Sequence, residues 1–437
     1  MFRIETYGCS SNKADSQAMA ELLCSHGYAE GDGEDVLTIV NTCVVTSYTE
    51  KKVLKRLFEL EREKRDYVVA GCLPAARPEL LGNLSPIGVI TPSNLGDIVG
   101  IVERWAKGRK MEVREIANPK LVNPKQPRII NVGRGCIGEC TYCIVKRARG
   151  EIQSVPPSDI VEEIRKGVSG GVMEFYLTSQ DMSAYGIDIG LRLPDLLHRV
   201  TALEGDYVLR VGMMNPKTLM PILERTVESM KEKVYRFAHV PVQSGSDKVL
   251  ELMGRGYTVK DFEKIVSTFQ KHGFSICTDV IVGFPGEEEG DFEDTLQLIN
   301  RIKPDKLNIT RFSPRPHTKY WGTNSDGEIK KERSRLITKM YFSICEERNR
   351  KMVGKRMRIL VTERVKEDSV VARDPKYTNV VVKGEFPIWS ALEVEVVGYH
   401  PMYLIAEPLD AIPLSEFIGT LKNDKTINEE VRSWHGG

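Results

Sequence analysis

Residues 133–150 read GRGCIGECTYCIVKRARG. Within this run Cys136, Cys140 and Cys143 stand in C-x3-C-x2-C spacing, in a glycine-rich loop just after a strand expected at 128–133. Glycine lets the backbone wrap closely around sulfur atoms. Three thiolates can hold three irons of a cubane and leave the fourth iron open to a ligand. A closed ferredoxin-type cluster uses the spacing C-x2-C-x2-C-x3-C-P, and no fourth cysteine lies near this loop. A zinc site would want a second ligand pair of matching spacing, and none follows.

Outward from this loop, short apolar runs alternate with amphipathic helical patterns. Strands are expected at 172–178, 207–211, 235–240, 276–282 and 306–311, with helices between them, for example 158–167 and 260–272. Such alternation predicts parallel β/α units. Roughly six units are too few to close an eight-stranded barrel, so residues 128–325 are expected to form an open, partial barrel. Several strands end in polar groups on what would be the barrel's functional face: Thr178-Ser179-Gln180-Asp181 after one, His239, Gln243 and Ser244 after another. The turn Gly-Phe-Pro-Gly in DVIVGFPGE (279–287) reads as a structural turn.

Upstream, residues 1–107 repeat the α/β texture. Strands are expected at 2–7, 36–40, 67–71 and 88–90. One helix is expected over 12–26, with Ala18, Leu22 and Leu23 facing inward, and a second carries Val53, Leu57 and Leu60 on its face. Three of these strands run into a cysteine: IETYGC ends at Cys9, LTIVNTC at Cys43 and YVVAGC at Cys72. In a parallel sheet the strand C-termini share one edge, where open α/β sheets bind ligands. The three cysteines are therefore expected to meet, as a second three-cysteine cluster requires. The competing reading is three unrelated buried thiols, which is the reading adopted for Cys24, Cys277 and Cys345.

Residues 108–127 hold Pro119, Pro124 and Pro127 in polar sequence and read as a linker. Residues 326–353 read as a connecting helix with Leu336, Ile337, Met340, Tyr341 and Ile344 on one face. Residues 354–413 change to β-branched alternation with turns and predict a small β-barrel. Residues 414–437 read as a polar tail.

The chain has 62 basic and 61 acidic residues, so nucleic-acid contact must come from local patches. Nine scattered cysteines argue for a reducing compartment, the cytoplasm, and against a disulfide framework. No signal-peptide pattern and no long apolar run suggests export or a membrane span.

The pieces YGCSSNKADSQ, the cysteine triplet, SQDMSAYG, HVPVQSGSDKVLELMGRGYT and DVIVGFPGE together resemble the radical S-adenosylmethionine (SAM) methylthiotransferase family over nearly the full length. The C-terminal β segment is similar to that family's RNA-binding TRAM domain. GCIGECTYCIVKRARG looks most like the archaeal and eukaryotic branch. This resemblance implies two [4Fe-4S] clusters. Cys136, Cys140 and Cys143 would hold the one that binds and cleaves SAM to a 5′-deoxyadenosyl radical, and Cys9, Cys43 and Cys72 the auxiliary one that carries sulfur. It implies methylthiolation at C2 of N6-threonylcarbamoyladenosine, position 37 of tRNA, in the anticodon loop. A reductant such as flavodoxin or ferredoxin is a further expected partner. Tyr142 is expected to pack on the SAM adenine, and Ser179, Gln180 and Arg210 to contact SAM from strand ends. Isopentenyladenosine in tRNA or a ribosomal-protein aspartate is the alternative acceptor, and a non-catalytic RNA-binding redox sensor the alternative class. The basic residues Lys330, Lys331, Arg333, Arg335, Lys339, Arg348, Arg350, Lys351, Lys355, Arg356 and Arg358 outweigh nearby acids. They are expected to supply phosphate contacts.

Overall fold

The computed structural model describes residues 1–33, 36–109, 123–323, 326–366 and 368–422. Its first unit is a four-stranded parallel sheet of β1 (Phe2–Thr6), β2 (Leu37–Thr42), β3 (Tyr67–Gly71) and β4 (Gly88–Ile90), in that order. Every residue of β2 and β3 is buried, because helices cover both faces of the sheet. Helix Ser47–Arg62 buries Val53, Leu57 and Leu60, as its periodicity predicts, and the Thr46 side chain caps it by accepting the Thr49 N–H.

The helix expected over 12–26 runs from Ser10 to Ser25 and is buried differently from expectation. Met19 and Leu23 face the sheet, but Ser11, Asn12, Asp15 and Ser16 are also buried, while Ala18 and Leu22 are only partly so. The reason is a second neighbour. The helix lies against β5 (Arg128–Asn131), where Asn131 donates to Asp15 (2.8 Å) and the Ile129 N–H donates to Gln17 (2.9 Å). Apolar periodicity reports one buried face, whereas this helix has two.

After β5 comes a small antiparallel ribbon, β6 (Gly133–Arg134) with β7 (Gln153–Ser154), whose connection carries the cysteine triplet. The barrel strands continue with β8 (Glu174–Thr178), β9 (Val208–Val211), β10 (Phe237–His239), β11 (Ser275–Val282) and β12 (Lys306–Arg311). They form two parallel three-stranded sheets, β5-β8-β9 and β10-β11-β12, joined by a bridge between Leu209 and Val234. β5 and β12 do not pair, so the expected partial barrel stays open. The N-terminal unit reaches both of its edges. It meets β5 through helix Ser10–Ser25, and it meets the segment after β12 where the Ser47 N–H donates to Ser313 (3.2 Å).

Helix Gly327–Arg350 buries Arg333, Ile337, Tyr341, Ile344 and Cys345, whereas Leu336, expected inward, is 46% exposed. The buried stripe has i, i+4 spacing from Arg333, and a charged residue at its head hid the phase. The C-terminal unit is a closed barrel of β13 (Arg356–Lys366), β14 (Ser369–Arg373), β15 (Asn379–Lys383), β16 (Ala391–His400) and β17 (Tyr403–Ile412), in the order β13-β14-β15-β17-β16. Residues 414–422, expected to begin a polar tail, instead form a helix that buries Phe417, Ile418 and Leu421. Residues 423–437 of that tail, and 110–122 of the expected linker, lie outside the described residues. Among the described residues no helix is long and apolar enough to cross a membrane.

Candidate active site

The loop carrying the triplet is held from beneath and from the sides. Gly135 has φ +79°, and a Cβ there would strike the Glu151 carbonyl, so only glycine admits the turn. The Cys136 N–H donates to the Gly150 carbonyl (3.1 Å). Thr141 ties the loop to the segment before Arg255, its N–H donating to Met253 (3.1 Å) and its hydroxyl to Leu252 (2.8 Å). A Cβ placed on Gly138 would lie 3.2 Å from Cys136 Sγ and 3.8 Å from Cys140 Sγ, so two sulfurs converge on space that only glycine leaves free. The Gly138 N–H donates to Cys136 Sγ (3.2 Å), and Arg255 Nη1 donates to Cys140 Sγ (3.1 Å). Burial pushes the Cys136 thiol up, against the pull of the Gly138 N–H. Donors aimed at sulfur suit thiolates that ligate a cluster.

The second set sits where the sheet argument places it. Cys9, Cys43 and Cys72 follow the C-terminal ends of β1, β2 and β3. A Cβ on Gly8 would be 2.8 Å from Cys43 Cβ, which measures how closely the first two turns approach. Asn12 locks them together, donating to Asn41 Oδ1 (3.1 Å) and the Thr42 carbonyl (2.9 Å), while Asn41 donates back to the Asn12 carbonyl (2.7 Å). Burial pushes the Cys72 thiol up to about 12 against the pull of the Arg149 guanidinium. Arg149 also pairs with Asp15 at 2.7 Å. This arginine belongs to the cysteine-triplet segment, yet its charge lies among the N-terminal cysteines.

One cavity of about 680 Å³ joins the two sets. Cys9 and Cys72 line it together with Cys136, Cys140 and Cys143, while Cys43 is buried and does not reach its wall. Tyr142, Ser179, Gln180 and Arg210, the four further residues expected from the sequence, all reach its wall. The Tyr142 ring stands edge-on to Phe284, 5.8 Å away, so the Gly-Phe-Pro-Gly turn buttresses the cysteine loop. Four buried polar atoms on this wall have no hydrogen-bond partner: Ser179 Oγ, Gln180 Oε1, Arg210 Nε and Gln243 Oε1. Unsatisfied buried groups are costly, and four at one cavity fit a polar ligand such as SAM.

Other residues singled out from sequence have structural duties. Asp181 is spent on the Ser183 and Asn215 N–H groups and the Thr218 hydroxyl. Ser244 is turned away from the cavity toward Thr295. His239 pairs with Asp279 (3.0 Å) at the cavity wall. Sequence reasoning did not single out Arg149, Arg255 or Asp279. All three lie inside runs quoted for other reasons, and only their contacts distinguish them from neighbouring charges.

The basic helix region is largely neutralised. Arg333 is buried between Glu287 (2.7 Å) and Glu289 (3.0 Å), Arg348 meets Asp305, Lys351 meets Glu347, and Arg358 meets Glu416 (2.6 Å). Arg335, Lys339, Arg350 and Lys355 are exposed and make no ion pair among the described residues.

Comparison with known proteins gives the chain its family. Residues 130–299 match the model of the Radical SAM superfamily, and residues 1–90 match the Uncharacterized protein family UPF0004. The chain is 36% identical to a probable threonylcarbamoyladenosine tRNA methylthiotransferase of Pyrococcus horikoshii, covering 92% of this chain and 98% of that protein. It is 37% identical to a protein of the same description from Archaeoglobus fulgidus (92% and 97% covered). It is 33% identical to the human threonylcarbamoyladenosine tRNA methylthiotransferase, covering 91% of this chain and 72% of the human one. Among solved structures, the radical S-adenosylmethionine methyltransferase TsrM of Kitasatospora setae superposes with a TM-score of 0.50 at 15% identity, over 65% of each chain, which is a likeness of fold.

Proposed function

Because this chain belongs to the threonylcarbamoyladenosine tRNA methylthiotransferases of the radical SAM superfamily, we propose that the shared cavity is where a methylthio group is placed on that nucleoside in tRNA. The family brings a [4Fe-4S] cluster and SAM. In our reading Cys136, Cys140 and Cys143 hold that cluster, and Cys9, Cys43 and Cys72 hold a second one. Bound there, these groups supply the radical and the sulfur needed to replace an unactivated adenine C–H bond.

The chain's own residues bind and orient. Arg255 and the Gly138 N–H stabilise negative charge on Cys140 and Cys136. Arg149 does the same beside Cys72 and Cys9. Ser179, Gln180, Gln243 and Arg210 offer unsatisfied polar atoms to a polar ligand, and Tyr142 stands beside them as a surface for its adenine. The observation that carries this reading is the cavity lined by cysteines of both sets, Cys9 and Cys72 from one and Cys136, Cys140 and Cys143 from the other. At about 680 Å³ it is in the range of small-molecule sites.

On this reading residues 1–107 deliver sulfur, 128–325 generate the radical, and 354–413 meet RNA. Adenosine 37 suits the site because an anticodon loop presents unpaired bases that can be splayed out. Flavodoxin or ferredoxin would deliver electrons, and six free thiols suit a reducing cytoplasm. The test is anaerobic incubation of the reconstituted protein with SAM, reductant and tRNA carrying threonylcarbamoyladenosine, with nucleosides read by mass spectrometry. We expect the methylthio derivative of that nucleoside. A methylthio group on isopentenyladenosine or on a ribosomal-protein aspartate instead would overturn the acceptor, and absence of SAM cleavage would overturn the class.

A further inference from the structure

The C-terminal barrel penetrates the catalytic one. The turn between β14 and β15, residues 374–378, enters the end of the partial barrel opposite the cysteine loop. There the Arg236 N–H donates to the Pro375 carbonyl (2.8 Å) and the Ser275 hydroxyl to the Lys376 carbonyl (2.6 Å). Asp374 shapes this turn by accepting the Lys376 (3.0 Å) and Thr378 (2.6 Å) N–H groups. At its tip Tyr377 adopts φ +64° and is 7% exposed. A non-glycine residue held at positive φ and buried in another domain is over-determined by its surroundings.

Those surroundings lead to the reaction cavity. The Tyr377 hydroxyl hydrogen-bonds the Tyr176 hydroxyl (2.7 Å), and its ring lies 4.9 Å from that of Tyr235 and 5.1 Å from that of Phe237. Arg210, which lines the cavity, stands over three rings: Tyr176 at 5.2 Å, Phe237 at 5.3 Å and Tyr377 at 5.1 Å. Two of these rings come from the catalytic barrel and the third from the C-terminal barrel. Arg210 makes no direct ion pair among the described residues, although its charge acts on the buried Glu174 carboxylate behind Tyr176, and its Nε is buried without a hydrogen-bond partner. A guanidinium fixed by aromatic faces, with Nε still unsatisfied, is prepared for an incoming carboxylate.

We propose that Tyr377 is a positioning residue for the reaction: from the C-terminal barrel it holds Arg210 at the cavity floor, where the guanidinium receives the carboxylate of an α-amino-acid group. This rests on the function proposed above, which offers two such carboxylates, the methionyl end of SAM and the threonyl end of the modified adenosine. The C-terminal barrel thereby completes the site rather than only meeting RNA.

The experiment uses full-length, anaerobically reconstituted protein and the variants Tyr377→Leu, Tyr377→Met, Tyr377→Phe, Arg210→Gln and the double variant of Leu with Gln. Equilibrium binding is measured for SAM alone. It is also measured for an anticodon stem-loop carrying threonylcarbamoyladenosine and for the same stem-loop with plain adenosine. Iron content and thermal melting monitor folding. Tyr377→Leu should weaken one carboxylate ligand by about tenfold, the scale of a desolvated cation–π contact. Arg210→Gln should do the same, the double variant no more than either, and Tyr377→Phe should stay close to wild type. Loss in the SAM arm identifies SAM as the source, and loss of discrimination between the two stem-loops identifies the substrate. Should Tyr377→Leu lose iron or melt early, Tyr377→Met provides the same comparison. Weaker binding of plain stem-loop with both carboxylate arms intact would overturn the proposal. Wild-type protein that neither binds SAM nor discriminates the stem-loops would instead overturn the functional reading itself.

Discussion

Arg149 and Asp15 form an ion pair at 2.7 Å with side chains only 2% and 3% exposed, one from the cysteine-triplet segment and the other from the first helix. Burial lifts the Asp15 carboxyl even against Arg149, and burial also opposes the Arg149 charge, which Cys72, Asp15 and Cys9 outweigh. Such a pair sets geometry more than it stabilises. It fixes how the N-terminal sheet edge faces the cysteine-triplet loop.

Removing one partner strands the other. Arg149→Gln leaves Asp15 with only the Asn131 amide (2.8 Å), and should cost about 3–5 kcal/mol, the range for breaking a buried pair. Urea unfolding of the metal-free protein measures it. A loss under about 1 kcal/mol would mean that water reaches the pair.

The His239–Asp279 pair predicts a pH signature. Burial works against a charge on His239, but the Cys277 sulfur and the Asp279 carboxylate hold its pKa up at about 10, from an ordinary 6.5. A raised histidine stabilises the fold fully below its unfolded pKa and loses that contribution as pH rises through the folded value. Wild type should therefore lose stability relative to His239→Gln between about pH 6.5 and about 10. Parallel stability curves across that window would contradict the pairing.

Four exposed bases carry the expectation of tRNA contact. Arg335, Lys339, Arg350 and Lys355 lack ion-pair partners among the described residues, whereas Arg333 and Arg358 are already engaged. Replacing the four by glutamine should weaken tRNA binding regardless of the base at position 37. It should also flatten the logarithmic salt dependence by about one per contact removed. An unchanged slope would place the RNA elsewhere.

Strand ends were the most legible feature of this sequence. Strand patterns locate Cys9, Cys43 and Cys72, and parallel topology alone brings them to one edge. Residues 133–150 likewise announce their sulfur chemistry by spacing. Side-chain partnerships were illegible, because Arg149 reads like Arg147 two residues before it. Helix Ser10–Ser25 hid its second buried face, since that face is polar and satisfied by β5. Phe417 and Leu421 went unread because a nine-residue helix beside a polar terminus shows too few turns to display a period. Tyr377 could not be seen at all, because its meaning lies in another domain.

Two cysteine sets that serve one cavity in separate roles should fail separately. The triple variant Cys9→Ala/Cys43→Ala/Cys72→Ala, assayed anaerobically for both SAM cleavage and methylthio-nucleoside with iron counted, separates them. Separate roles predict about four fewer iron atoms per chain, continuing SAM cleavage and no methylthio product. Wild-type levels of methylthio product, or loss of SAM cleavage while the cluster on Cys136, Cys140 and Cys143 stays intact, would contradict that separation.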